Sequence, residues 1–158
     1  MTAIPRGPRG EPVWPPGIAG SITHCPGYCA AAVAPSHVAA AIGIDAEVDA
    51  ALPAGVLDMI AGTDERRWIE ARAGDGLHWD RLLFSAKESV YKAWFPIMRR
   101  WLDFEAVHVR FCPETASFRA TFPAERAVLL DEPLDGFDGR YARLTAHVVT
   151  SVVVEARK

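Results

Sequence analysis

The chain has 158 residues, half of them hydrophobic, and a formal net charge of −3. That length suffices for one domain with a sizeable core, and the slightly acidic balance gives no general attraction to nucleic acid. No apolar run approaches a bilayer span, nothing near the start reads as a signal peptide, and three cysteines without paired spacing fit a reducing cytoplasm.

Residues 1–17 concentrate proline and glycine and are expected to be extended loop. A short strand over 18–23 follows. The runs 28–34 and 38–45 are small-apolar and β-branched, and Pro35-Ser36-His37 between them predicts a hairpin whose strands are covered on both faces. Helices are predicted over 55–60 and 64–73, the second capped by Thr63 or Asp64, before Gly74-Asp75-Gly76 breaks the chain. The strongest helix spans 79–95. In it Trp79, Leu82, Leu83, Ala86, Val90, Ala93 and Trp94 make one apolar stripe, and Asp80, Lys87, Glu88, Tyr91 and Lys92 fall on the opposite side. Pro96 disfavours helical geometry at Phe95 and is expected to end or kink the helix there. Strands are predicted over 106–111, 117–122 and 140–154, with turns at Asp135-Gly136 and Asp138-Gly139 ahead of the last. The wealth of Ala, Arg and Pro fits a GC-rich genome.

The chemistry gathers on two of these segments. Asp45 and Glu47 are two apart on a strand and share a face, while Glu88 and Lys92 are four apart on a helix and do the same. Three carboxylates beside Lys87 and Lys92 suit a hard divalent cation such as Mg²⁺ and the phosphates it accompanies. A lone Glu88/Lys92 pair reads more readily as an exposed salt bridge worth about 0.3–0.5 kcal/mol, and Asp45 and Glu47 beside it reverse that reading. From the carboxylates alone, a Mg²⁺-dependent phosphohydrolase fits. His24 closes a strand, where an imidazole can donate to a phosphate oxygen or serve as a backbone-bonded core residue. Cys25 and Cys29 lack the second ligand pair of a structural zinc site and read as buried free thiols. Asp49, Asp58 and Asp75 read as surface or turn residues.

Three blocks also carry a resemblance. G-I-D-A-E at 43–47, F-S-A-K-E-S-V-Y-K-A at 84–93, and W-P-P-G leading to G-S-I-T-H-C at 14–25 together resemble the signature of the surfactin-type 4′-phosphopantetheinyl transferases of bacteria. The composition adds an actinobacterial leaning. The match runs from about residue 6 to 101 and more loosely to the C-terminus. It implies an α+β fold of two similar halves with antiparallel strands packed on helices, read here as one domain over 1–158. Such enzymes usually carry several dozen residues before the first block, so the first half is expected to be incomplete.

The resemblance further implies Mg²⁺-dependent transfer of phosphopantetheine from coenzyme A to a serine of an acyl or peptidyl carrier protein. The leaving group is 3′,5′-ADP, and the pathways served are fatty acid, polyketide or nonribosomal peptide biosynthesis. Asp45, Glu47 and Glu88 are then expected to hold Mg²⁺, Glu88 or its bound water to take the serine proton, and Lys92 to neutralise the leaving diphosphate. Arg6, Arg9, Thr23, His24, Lys87 and Lys92 are the candidate coenzyme contacts, with the N-terminal arginines directed to the 3′-phosphate. Phe95-Pro96-Ile97-Met98-Arg99-Arg100-Trp101 reads either as a carrier-protein docking patch or as core residues flanked by solvated arginines. The expected state is a cytoplasmic monomer that binds neither nucleic acid nor membrane. A non-catalytic remnant with weak Mg²⁺ and coenzyme A binding stands beside the enzyme reading.

Overall fold

A 20-residue helix organises the molecule. The computed structural model describes residues 4–122, 128–129 and 132–156. Residues 4–17 are irregular, with a single bridge between Arg6 and Pro12. Strands β1 (Ile18–Cys25) and β2 (Tyr28–Pro35) form an antiparallel ribbon, and β3 (Ala39–Val48) follows. Three helices come next: α1 (Val56–Ile60), α2 (Thr63–Glu70) and α3 (Trp79–Met98). The remaining strands are β4 (His108–Cys112), β5 (Ser117–Thr121), the two-residue β6 (Val128–Leu129) and β7 (Glu132–Pro133), β8 (Gly136–Arg143) and β9 (His147–Glu155). One antiparallel sheet runs β3-β9-β8-β5-β4, and α3 packs across β3 and β9. The fold is therefore α+β, with antiparallel sheets on helices.

The apolar stripe of α3 is the core. Leu82, Leu83, Ala86, Val90, Ala93 and Trp94 are fully enclosed. They meet Val148 and Val152 of β9 and an aromatic group in which Trp79, Trp68, Phe111 and Tyr141 contact one another. Trp94 meets Phe122, which meets Phe137, so both tryptophans of the helix find rings across the interface.

Several expectations are corrected. The predicted 28–34/38–45 hairpin does not form: β2 turns back on β1 through Pro26-Gly27, and β3 pairs with β9. The tight two-residue connection closes the first ribbon, and β3 gains a sheet with a helix over its face. Nor is β2 covered on both sides, because Cys29, Ala31 and Val33 are exposed. The stretch 140–154 is two strands, not one. Its turn is built from Leu144-Thr145-Ala146, which carries no turn-forming glycine or proline, and Leu144 N–H donates to His147 O at 2.7 Å. Asp138-Gly139 lies inside β8; a Cβ on Gly139 would overlap the Phe118 ring, so the glycine is there for close packing. Helix α2 is capped at Gly62, whose N–H donates to Glu65 Oε2 at 2.7 Å. Pro96 forfeits one hydrogen bond without stopping α3, which runs to Met98 and ends where Arg99 adopts a left-handed φ of 51°.

Candidate active site at the β3–α3 seam

Gly43 sets the distance between strand and helix. A Cβ there would overlap the Ser89 carbonyl oxygen and lie 2.8 Å from the Ala93 amide nitrogen, so β3 rests directly on the backbone of α3. Two and four residues on, Asp45 and Glu47 extend the same face of the strand along the helix. Thr150 of β9, opposite Asp45 in the ladder, shares its hydroxyl with Ser85 of α3 at 3.0 Å and closes the seam from the other side.

The outer edge of β3 is held by side chains. Ser21 Oγ accepts the Ile44 N–H and Thr23 Oγ1 accepts the Ala46 N–H, each at 3.0 Å. Alternate hydroxyls on β1 thus satisfy alternate amides of an edge strand. Thr23 also donates to Asp45 Oδ1 at 3.3 Å. Its hydroxyl thus ties β1 to both the backbone and the carboxylate of β3.

Asp45 is buried, and its two oxygens differ. Oδ1 accepts from Lys92 Nζ at 2.8 Å, while Oδ2 is enclosed with no hydrogen-bond partner among the described residues. Lys92 also donates to Ile44 O at 3.1 Å. Glu47 Oε2 accepts from Arg81 Nη1 at 3.2 Å. Burial, followed by the nearby Asp45 charge, pushes the Glu47 carboxyl above its ordinary range against the pull of Arg81 and Lys92. Glu88 is raised by burial first, then by Asp45 and Glu47, with Lys92 opposing. The three carboxylates named from the sequence therefore share one electrostatic neighbourhood with Lys92 in it.

The donor set suits a hard cation that keeps some of its waters: carboxylate oxygens, one of them buried and unpartnered. Among the described residues no three His, Cys, Asp or Glu side chains already close on a single point, and Lys92 supplies the positive charge that Asp45 faces.

These shifts fix the sign of a pH effect. A carboxyl whose folded pKa is raised holds its proton more tightly in the folded state, so stability is lost as pH climbs from about 4.5 through the folded value. Asp49, lowered below 3.8 by His78 and Arg143, contributes stability that disappears only at more acid pH. Without divalent ions, Tm is expected to be higher near pH 5 than at pH 7.5, and Glu88→Gln should flatten that decline. A calorimetric scan of both proteins checks it; parallel slopes would place Glu88 outside the cluster.

Lys87 is not with the other site residues. It is buried beneath α3, where its ammonium donates to Ile60 O, to Phe104 O at 3.0 Å and to Glu65 Oε2 at 3.0 Å. Burial lowers its pKa against the opposing Glu65 charge. All three donors are spent on tying α1, α2 and the segment after α3 together, so the expected coenzyme contact is replaced by a structural one. A long side chain at the border of a stripe can turn to either side, which spacing does not disclose. Asp49, expected at the surface, is also enclosed: it accepts from His78 Nδ1 at 2.9 Å and Arg143 Nε at 2.7 Å.

His24 is exposed on β1 beside Cys25, whose thiol is raised by burial and by Glu47 and Asp45. Cys29 is exposed and Cys25 only half-buried, contrary to the buried-thiol expectation for that pair, and Cys112 is exposed. Arg6 is exposed on the irregular segment. Arg9 is folded back to α3, its guanidinium 5.5 Å from the Phe95 ring centroid, where it opposes the burial that raises Tyr91. Within 95–101, Phe95 is buried, Ile97 and Met98 pack on the core, Arg99 and Arg100 are exposed, and Trp101 is 65% exposed beside Tyr91.

Arg81 was missed. It belongs with Ser85, Glu88 and Lys92 at steps of four, three and four residues, a helical stripe that could have singled it out.

Comparison with known proteins points to one family. Residues 41–139, which hold β3 and α3, match the model of the 4′-phosphopantetheinyl transferase superfamily, and residues 1–34 match that of the 4′-phosphopantetheinyl transferase N-terminal domain. The chain belongs to the 4′-phosphopantetheinyl transferase superfamily. It is 45% identical over 160 residues to 4′-phosphopantetheinyl transferase Svp of Streptomyces mobaraensis, covering 97% of this chain and 65% of that protein. It is 46% identical to Npt of Nocardia iowensis, covering 95% and 71%, and 41% identical to PptT of Mycobacterium tuberculosis, covering 96% and 68%. The chain thus spans about two thirds of the length of these curated relatives. No helix among the described residues is long and apolar enough to cross a membrane.

Proposed function

We propose that this member of the superfamily is of the surfactin type, transferring 4′-phosphopantetheine from coenzyme A to a serine of an acyl or peptidyl carrier protein. The observation that carries the reading is the buried, unpartnered Oδ2 of Asp45, set beside Lys92 in the field of Glu47 and Glu88. A buried carboxylate oxygen without a donor is costly unless something positive completes it. Asp45, Glu47 and Glu88 would hold Mg²⁺, which when bound shields the diphosphate and stabilises charge on the departing oxygen.

The chain's own residues supply the remainder. The serine oxygen attacks the phosphorus that bears the pantetheine arm, the bond to the bridging diphosphate oxygen breaks, and 3′,5′-ADP leaves. Glu88 takes the serine proton; a carboxyl raised by burial and by two neighbouring charges is a better base than an exposed one. Lys92, one helical turn on, exchanges its hold on Asp45 for the charge that grows on the departing 5′-phosphate oxygen of 3′,5′-ADP. His24, Arg6 and Arg9 would contact the phosphate oxygens of the coenzyme. The reaction is placed in the cytoplasm, with the protein a monomer.

The test is mass spectrometry of an added apo carrier protein with coenzyme A and Mg²⁺. A gain of one phosphopantetheine group is expected. Release of free phosphate with no gain in carrier mass would instead make the protein a phosphohydrolase. Calorimetric titration of Mg²⁺ into Asp45→Ala and Glu47→Ala is expected to show weakened uptake in both variants, since each removes a charged ligand from a site with few. Unchanged affinity in both would remove these two residues from the assignment.

A further inference from the structure

Arg81 occupies a position that neither the motifs nor the reaction accounts for. Its guanidinium is fixed at three points. Nε donates to Ala50 O at 2.9 Å, Nη2 to Ala51 O at 3.0 Å and Nη1 to Glu47 Oε2 at 3.2 Å. The neighbouring Asp80 holds the same segment, accepting the Leu52 N–H at 2.7 Å. The first turn of α3 therefore clamps the chain where it leaves β3, and the planar fork of the arginine has one arm left for a carboxylate. Glu47 Oε1 accepts no hydrogen bond among the described residues. Asp45 is arranged alike: Oδ1 is held by Lys92 and Oδ2 has no partner. Each strand carboxylate has one oxygen held by a cation of α3 and the other without a hydrogen-bond partner among the described residues.

We propose that Arg81 is the positioning residue for Glu47: anchored on the Ala50 and Ala51 carbonyls, it holds one carboxylate oxygen and presents the other toward the cation site. The inference rests on the metal-site reading above and adds how one ligand of that site is aimed. A flexible glutamate loses rotamer freedom on binding an ion, and a partner that has already restricted it reduces that cost. Arg81 touches neither substrate nor cation in this role; it acts through Glu47.

The test is Mg²⁺ alone, titrated calorimetrically into the parent, Arg81→Met, Arg81→Lys, Glu47→Gln and the double variant Arg81→Met/Glu47→Gln, with thermal melts of each. Loss of an outer partner of this kind weakens metal binding about tenfold. That loss is expected for Arg81→Met when Glu47 is present and is expected to be nearly absent in the Glu47→Gln background. Arg81→Lys should fall between, because one ammonium cannot span two carbonyls and a carboxylate; it carries the test if Arg81→Met does not fold. Equal losses in both backgrounds would make Arg81 a structural clamp only, and parent-like binding by Arg81→Met would equally overturn the proposal. A parent that takes up no Mg²⁺ overturns the metal-site reading and this inference with it.

Discussion

Glu88→Gln is expected to lower transfer to a carrier serine by about a hundredfold or more, with circular dichroism unchanged. The amide is close in shape but is neither a base nor an anionic ligand, and a hundredfold corresponds to roughly 2.7 kcal/mol of barrier. Glu88 is half-buried on the side of α3 opposite the core stripe, and Asp45 and Glu47 raise its carboxyl, so replacing it removes a charge the fold holds at a cost. The variant should therefore be as stable as the parent at neutral pH or more so. That combination separates a catalytic carboxylate from a structural one. Transfer at more than about a tenth of the parent rate in a folded variant would take the proton-accepting role away from Glu88.

Gly43→Ala is expected to have the largest effect on the fold. The new methyl would meet the Ser89 carbonyl oxygen and the Ala93 amide nitrogen, which are backbone atoms of a packed helix and cannot rotate away. Overpacking of this kind costs about 1–3 kcal/mol or more, and about 3 kcal/mol lowers Tm by roughly 6–12 °C at this chain length. Relief comes only by lifting β3 from α3, which draws Asp45 away from Lys92. Transfer should fall in the fraction that still folds. A melt and an activity assay on the same preparation check both, and a variant that matches the parent in both would refute the close approach.

Much of the candidate site was legible because two periods are local. Gly43, Asp45 and Glu47 alternate along a strand, and Glu88 and Lys92 recur along a helix, so each face could be assigned without knowing what lay opposite. The helical stripe from Trp79 to Trp94 was legible for the same reason, and the structure buries its members. Arg81 was within reach of that reasoning, at the same spacing. What failed was whatever depended on a distant partner. Lys87 stands on a flank of α3 that spacing leaves ambiguous, and only the placement of Glu65, Ile60 and Phe104 turned its ammonium inward. Asp49 looked like a surface residue until His78, 29 residues away, and Arg143, 94 residues away, enclosed it.

The sequence by itself determined the two carboxylate-bearing faces and the amphipathic helix that carries one of them, because side-chain direction along a single element follows from backbone period alone; the family followed from the resemblance of three motif blocks. The tertiary structure decided strand partnership and the state of each charge. β3 could have paired with β2 on local pattern, yet it pairs with β9, so that Thr150 stands opposite Asp45 and β1 supplies only hydroxyls to the free edge. Pairing and burial are sums over residues far apart in the chain, and the same sums leave one oxygen of Asp45 unpartnered and push the Glu47 and Glu88 carboxyls upward. No local window contains those terms, which is why the three carboxylates could be named as candidates from the sequence while their arrangement could not.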